Sequence, residues 1–242
     1  MSKAEVMRIS LKKLTSIQLL VFLLYIQNIS NFLKENVSGK RVLDCGAAGE
    51  EGIGEDSPYW MHNIIKSKAS EVIGFDLEEE AVEELNKKGY KMLRGDCENL
   101  DLGEVGKFDV IFAGEVLEHL TMPGEFIEGV KKYLKDDGEL IITTPNAFSF
   151  YRFAGNIVRV NMENPQHVLV QNEDTLIQLL ERHGYSVVES HFFTNQSFYE
   201  QKRMGTARKA GKHFFELLFS LKPEMGHQIL IIATIKNTKT EL

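Results

Sequence analysis

The 242-residue sequence is short of cysteine, of positive charge and of long apolar runs. Its two cysteines, Cys45 and Cys97, lie far from a disulfide-framework pattern, which excludes a small stapled scaffold and points to a reducing, cytoplasmic setting. The apolar run IQLLVFLLYI, residues 17–26, has about half of the ~20 residues a membrane-spanning helix needs, so no transmembrane segment is expected. Lys and Arg number 28 against 35 Asp and Glu, a formal charge of −7. That balance leaves no electrostatic footprint for nucleic acid, which is not an expected partner. With 43% hydrophobic and 26% charged residues, the disordered and collagen-like classes are excluded as well.

At the N-terminus, Lys3, Arg8, Lys12 and Lys13 precede the apolar run in the manner of a secretory leader. No small-x-small cleavage pattern follows, and helical spacing continues instead through Leu19, Phe22, Leu23, Ile26, Ile29 and Leu33. Residues 1–36 are therefore read as an amphipathic helical extension. It packs on its own domain or on a second copy in a homodimer; a membrane surface is the remaining alternative.

From 37 to 242 short apolar runs alternate with amphipathic segments. RVLDCG, EVIGFD, YKMLRGD, FDVIFAG, ELIITTPN, YSVVESHFF and QILIIATIK read as strands. YWMHNIIKSK, LEEEAVEELNKKG, PGEFIEGVKKYLKDDG, TLIQLLERHG and HFFELLFSL read as helices. Helices between strands imply crossovers, hence an α/β fold with a mostly parallel sheet covered on both faces. Insertions near 146–172 and 194–226 are where a cover over a substrate is expected.

In such sheets ligands bind beyond the C-terminal strand ends, and chemistry-bearing residues stand at nearly every one. The first strand ends in Asp44, Gly46, Ala48, Gly49 and Gly52, a loop that admits close backbone approach but departs from G-x-G-x-x-G at Ala48. Asp44 opposes a pyrophosphate and suits a ligand with a cationic portion. Asp76 ends the second strand, placed to accept from two ribose hydroxyls or to cap a helix starting at Leu77. Asp96 and Cys97 follow the third, suited to an exocyclic amine or to a plain turn. EVLEHL follows the fourth, and on one helical turn Glu115, Glu118 and His119 share a face.

The ordered set VLDCGAAG, GFD, GDCENL, FDVIFAGEVLEHL and DGELIITTPN resembles the class I S-adenosylmethionine-dependent methyltransferases, in the group that includes ubiquinone-pathway O-methyltransferases. The resemblance covers roughly 40–192 and implies a Rossmann-like seven-stranded sheet whose last strand, QILIIATIK, is antiparallel. It implies S-adenosylmethionine as cofactor, with the loop 46–49 on the methionine portion, Asp76 on the ribose, Asp96 with Cys97 on the adenine, and Gly114 with Glu115 near the sulfonium. The cofactor set so implied is Asp44, Gly46, Ala48, Gly49, Asp76, Leu77, Asp96, Cys97 and Gly114. Ala48 and Glu50 stand where the family usually has glycine. The longer acidic stretch EEGIGEDSPYWMH brings Trp60 and His62, either packed over the cofactor or forming a solvated loop with one aromatic anchor.

Three readings of EVLEHL remain open. It is a structural fingerprint, with Glu115 on backbone donors and His119 against a loop. Or it is catalytic, with His119 as general base beside Glu115. Or Glu115, Glu118 and His119, joined by His167 from NMENPQHVLVQ, hold a divalent metal (Mg, Mn or Zn). That last set resembles the metal site of small-RNA 3′-terminal 2′-O-methyltransferases, and its ExxEH part that of ubiquinone-pathway enzymes. Arg152 and Arg159 suit an anionic acceptor or a solvated helix, and 201–213 is a basic segment that could meet an anionic partner. The expected function is methyl transfer to oxygen, ahead of nitrogen, of a quinol-like or sugar-like small molecule. RNA ribose 2′-O-methylation and cofactor binding without turnover are the alternatives.

Overall fold

A computed structural model describes residues 25–26, 29–49, 57, 59–193 and 221–236. Its centre is one sheet built from β1 (Tyr25–Ile26), β2 (Arg41–Cys45), β3 (Glu71–Asp76), β4 (Met92–Arg94), β5 (Phe108–Gly114), β6 (Leu134–Pro145), β7 (Tyr185–Phe193) and β8 (Gln228–Ile235). The strand order is β1-β7-β8-β6-β5-β2-β3-β4. β8 lies antiparallel between β6 and β7, and the remaining pairs are parallel. The expected seven strands, with the last reversed, are β2–β8.

β5 shows why the sheet is buried on both faces. Phe108, Ile111 and Ala113 enter one core, while Val110 and Phe112 enter the other. Side chains alternate along a strand, so a continuous apolar run loses neither face to water. One face is covered by α4 (Pro123–Val130) and α6 (Glu173–Arg182), through Phe126, Ile127, Val130, Leu176 and Leu180. The other is covered by α1 (Ile29–Asn36) and α2 (Met61–Lys66). Ile29 and Leu33, one turn apart, are the buried pair that seats α1 on its own domain. α3 (Glu79–Lys87) packs Val82 and Leu85 near Met92 at the far edge, and α5 (Phe150–Ile157) belongs to the insertion after β6.

Two expectations are corrected. Helical spacing through Ile26 fails at Tyr25–Ile26, which pairs parallel with Phe192–Phe193 as an edge strand; residues 1–24 lie outside the described set. The helix expected over 123–138 stops at Val130, passes through a 3₁₀ turn, and becomes β6 at Leu134. Leu134 pairs with Phe108 and is fully buried, and the register then shifts before Glu139 meets Val110. Asp136, Asp137 and Gly138 are poor helix formers, so nothing opposes the burial of Leu134 against the sheet. No helix among the described residues is long and apolar enough to cross a membrane. The expected helix at 213–221 and the basic segment 201–213 fall on undescribed residues, apart from Leu221.

Candidate functional site

The C-terminal ends of β2, β3, β5 and β6 open into one cavity of about 410 Å³, within the range of small-molecule sites. Its first half begins where β2 runs out. Gly46 has φ +71°, and a Cβ there would stand 2.8 Å from Val116 Cγ2, so only glycine makes the turn without displacing its neighbour. Gly46 and Ala47 donate their N–H groups to the Phe75 carbonyl at 2.8 and 3.2 Å. Ala48 donates to Asp76 Oδ2 at 2.8 Å. Asp76 thus ties the loop after β2 to the end of β3, and its Oδ1 accepts from the Glu78 N–H at 3.0 Å. It does not cap a helix starting at Leu77: α3 starts at Glu79, and Leu77 is exposed and outside the cavity wall.

Asp44 and His62 form a buried pair in this half, with His62 Nδ1 2.9 Å from Asp44 Oδ2. Burial raises the Asp44 carboxyl above its ordinary value, and the His62 bond opposes that rise. Trp60 is buried beside them and donates Nε1–H to the Ala47 carbonyl at 2.8 Å, so it is a packed wall of the cavity and not part of a solvated loop. Glu50 and Gly52 lie outside the described residues. Asp96 caps the 3₁₀ turn Cys97–Asn99 by accepting from the Glu98 N–H at 2.8 Å. Neither Asp96 nor Cys97 lines the cavity. Burial, with the charge of Asp76, pushes the Cys97 thiol up to about 12.

The second half is built on EVLEHL, and here the helical turn is corrected. Glu115 has φ +57°, and only Leu117–His119 turn, as 3₁₀. A left-handed non-glycine residue is a costly conformation that surrounding bonds must hold. The Glu115 N–H donates to the Thr143 carbonyl at 2.9 Å, and Thr143 Oγ1 donates to Glu115 Oε1 at 3.1 Å. Thr144 Oγ1 donates to Glu118 Oε2 at 3.0 Å. Glu118 Oε1 is buried with no hydrogen-bond partner. Burial raises both carboxyls above the usual range, and the charge of Glu115 raises Glu118 further.

His167 reaches this site because the Glu118 backbone carbonyl accepts from the N–H groups of Val168 and Leu169 at 2.8 and 3.2 Å. Its Nδ1 bonds Glu163 Oε1, and its Nε2 lies 4.0 Å from Glu118 Oε1. The rings of His119 and His167 meet edge to face at 4.8 Å. One ligand atom each from Glu118, His119 and His167 fall within 4.8 Å of one another. Glu115 is not in that cluster, so three of the four anticipated metal ligands are brought together. Arg152 does not stand ready for an anionic acceptor: it grips Glu163 through two bonds of 2.8 Å and reaches the Asn146 carbonyl at 3.1 Å. Arg159 is exposed on a φ of +58° and away from the cavity wall.

Sequence reasoning missed Thr143, Thr144, Glu163, His227 and Gln228. The signal for Glu163 was its position four residues before His167. His227 and Gln228 enter because β8 is antiparallel, which sends its first residues to the end of the sheet where the other strands finish. Burial and the charge of Arg152 lower the His227 imidazole to about 4.

A family model described as a methyltransferase domain matches residues 18–190. A Mycolicibacterium smegmatis protein named "Probable S-adenosylmethionine-dependent methyltransferase" is 28% identical over 160 residues, 65% of this chain and 56% of the relative. A protein of Aromatoleum aromaticum named "Ubiquinone biosynthesis O-methyltransferase" is 29% identical over 125 residues, 49% of this chain and 50% of the relative. The chain thus spans about half the length of the curated relatives it matches. Among solved structures, a SAM-dependent methyltransferase from Archaeoglobus fulgidus superposes with a TM-score of 0.58 at 18% identity, covering 96% of this chain and 99% of the other, a likeness of fold.

Proposed function

The chain belongs to the class I S-adenosylmethionine-dependent methyltransferases, and on that premise we propose that it moves a methyl group from S-adenosylmethionine to an oxygen of a small-molecule acceptor. One observation carries the reading. A single cavity runs from Asp44, Gly46 and Asp76 to Glu115, Glu118, His119 and His167, so a cofactor half and an acceptor half share one space. The first half fits the cofactor: the loop after β2 turns tightly at Gly46 beside Asp44 and Asp76, and His62 Nε2 is buried there with no hydrogen-bond partner.

S-adenosylmethionine supplies an activated methyl group with a good leaving group, so the protein's task is chiefly positioning. We assign the loop 46–49 to the methionine portion, Asp76 to the ribose, and Gly114 with Glu115 to the wall beside the sulfonium; Leu77 at the ribose and Asp96 with Cys97 at the adenine edge stand outside the cavity wall and rest on the family resemblance alone. His119 takes the acceptor's proton on a ring nitrogen, with Glu115 beside it. An oxygen acceptor is supported by the relatives named as ubiquinone biosynthesis O-methyltransferases and by carboxylates able to hold hydroxyls.

A second reading is favoured by the convergence of Glu118, His119 and His167. The unpartnered Glu118 Oε1 and two imidazoles fit a divalent cation such as Mg, Mn or Zn. A cation held there supplies Lewis acidity toward neighbouring hydroxyls, favouring acceptors with vicinal ones. His119 would then be a ligand instead of a base. Transfer of a labelled methyl group to catechol and to sugar diols, before and after EDTA, separates the two. Loss in EDTA, restored by Mn²⁺ in wild type but not in His167→Ala, supports the cation; full activity in EDTA assigns His119 the proton. Absence of both transfer and cofactor binding contradicts the function itself.

A further inference from the structure

His62 is 1% exposed and lines the cavity, yet its Nε2 has no hydrogen-bond partner. Buried polar groups are almost always satisfied, because an orphan keeps its full desolvation cost. The ring cannot swing to find a partner within the protein. Nδ1 is held by Asp44 Oδ2 at 2.9 Å, and the ring is flanked by Trp60 and Tyr90 at centroid distances of 5.2 and 5.6 Å. Trp60 is itself fixed by its bond to the Ala47 carbonyl. In the neutral tautomer that donates Nδ1–H to that carboxylate, Nε2 carries a lone pair and accepts only.

The charges around it define what it accepts from. Among the described residues lining this half of the cavity, the formal charges are Asp44 and Asp76, and no lysine or arginine is present. A buried acceptor backed by carboxylates favours a cationic donor. We propose that His62 is a specificity-determining contact for the cofactor: its Nε2 accepts a hydrogen bond from the α-ammonium group of the amino-acid portion of S-adenosylmethionine. Asp44 holds the ring in the tautomer this needs and supplies the balancing charge. The inference rests on the cavity taking that cofactor. It adds to the glycine turn and Asp76 a recognition element lying sixteen residues beyond the turn, in α2.

Two ligands test it: S-adenosylhomocysteine, and 5′-methylthioadenosine, which keeps the adenosine and thioether but lacks the amino acid. In wild-type protein with ¹⁵N-labelled imidazoles, His62 is expected to be protonated at Nδ1, and its Nε2 resonance to move with the first ligand and not the second. By calorimetry, His62→Phe is expected to weaken S-adenosylhomocysteine by about tenfold or more and to change 5′-methylthioadenosine by less than about twofold, the scale of one charge-assisted hydrogen bond. An Nε2-protonated tautomer, equal movement with both ligands, or equal losses for both overturns the inference. If the variant does not fold, the wild-type spectra decide alone. If wild type binds neither ligand, the methyltransferase reading fails and takes this inference with it, an outcome distinct from binding of both with His62 unmoved.

Discussion

Replacing Glu118 by Gln removes a charge from a side chain that is 1% exposed while keeping its shape. Its Oε2 accepts from Thr144, its Oε1 has no hydrogen-bond partner, and Glu115 lies beside it. Burial, and for Glu118 the facing charge of Glu115, raise both carboxyls above their ordinary 4.5. An acid with a raised folded pKa contributes stability that is full below its unfolded pKa and is lost as pH climbs through the folded value. The pair therefore weakens the metal-free fold progressively from about pH 4.5 upward, across neutrality. Gln has no proton to lose, so Glu118→Gln is expected to match wild type near about pH 5 and to exceed it near about pH 8. A buried unsatisfied group costs ~1–3 kcal/mol, and about 2 kcal/mol in a chain of this length corresponds to roughly 4–8 °C in Tm. Thermal melts of both proteins in EDTA at the two pH values measure this. A variant less stable than wild type at the higher pH, or an equal difference at both, refutes the account of a Glu118 carboxyl raised by burial and by the charge of Glu115.

Other perturbations follow from the same geometry. Gly46→Ala meets both a φ of +71° and a Val116 methyl at 2.8 Å, and is expected to cost roughly 2 kcal/mol in a urea melt, part of it recovered in the Gly46→Ala/Val116→Ala pair. Full stability of the single variant contradicts the turn's strain. Arg152→Ala leaves Glu163, whose side chain is 21% exposed, with His167 as its remaining partner and drops the Asn146 carbonyl bond. It is expected to cost about 3 kcal/mol, less when Glu163→Gln is added, as denaturant midpoints would read. Asp76→Ala frees the Ala48 and Glu78 N–H groups and is expected to weaken S-adenosylhomocysteine by about tenfold or more in calorimetry. An unchanged Kd removes Asp76 from the cofactor site.

The sheet was legible because runs such as FDVIFAG bury both faces and are too short for a buried helix. The LKDDG stretch misled because its polarity continues a helix face, whereas its fate was settled by Leu134 meeting Phe108, 26 residues earlier in the chain. In EVLEHL the side chains of Glu115, Glu118 and His119 do meet at the cavity, but on a different backbone from the expected one. The spacing of Glu115, Glu118 and His119 suits an α-turn, but the positive φ of Glu115 is imposed by Thr143 on the neighbouring strand. His167 reaches the cluster through two backbone bonds to the Glu118 carbonyl, which side-chain identity does not encode. Arg152 reads as either an acceptor contact or a solvated helix position because its partner Glu163 lies eleven residues away, across a loop. His62 reads either as packed over the cofactor or as part of a solvated loop at the start of a helix, since its pairing with Asp44 needs the packed position of α2.

The central claim is that the space between Asp44, Asp76 and Glu115 is a site for S-adenosylmethionine. Isothermal titration of the intact chain with S-adenosylhomocysteine, and in parallel with NAD, tests it most directly. The account predicts one-to-one binding of S-adenosylhomocysteine with a Kd on the order of micromolar and no heat of binding with NAD. Silence with S-adenosylhomocysteine, or a preference for NAD, contradicts it.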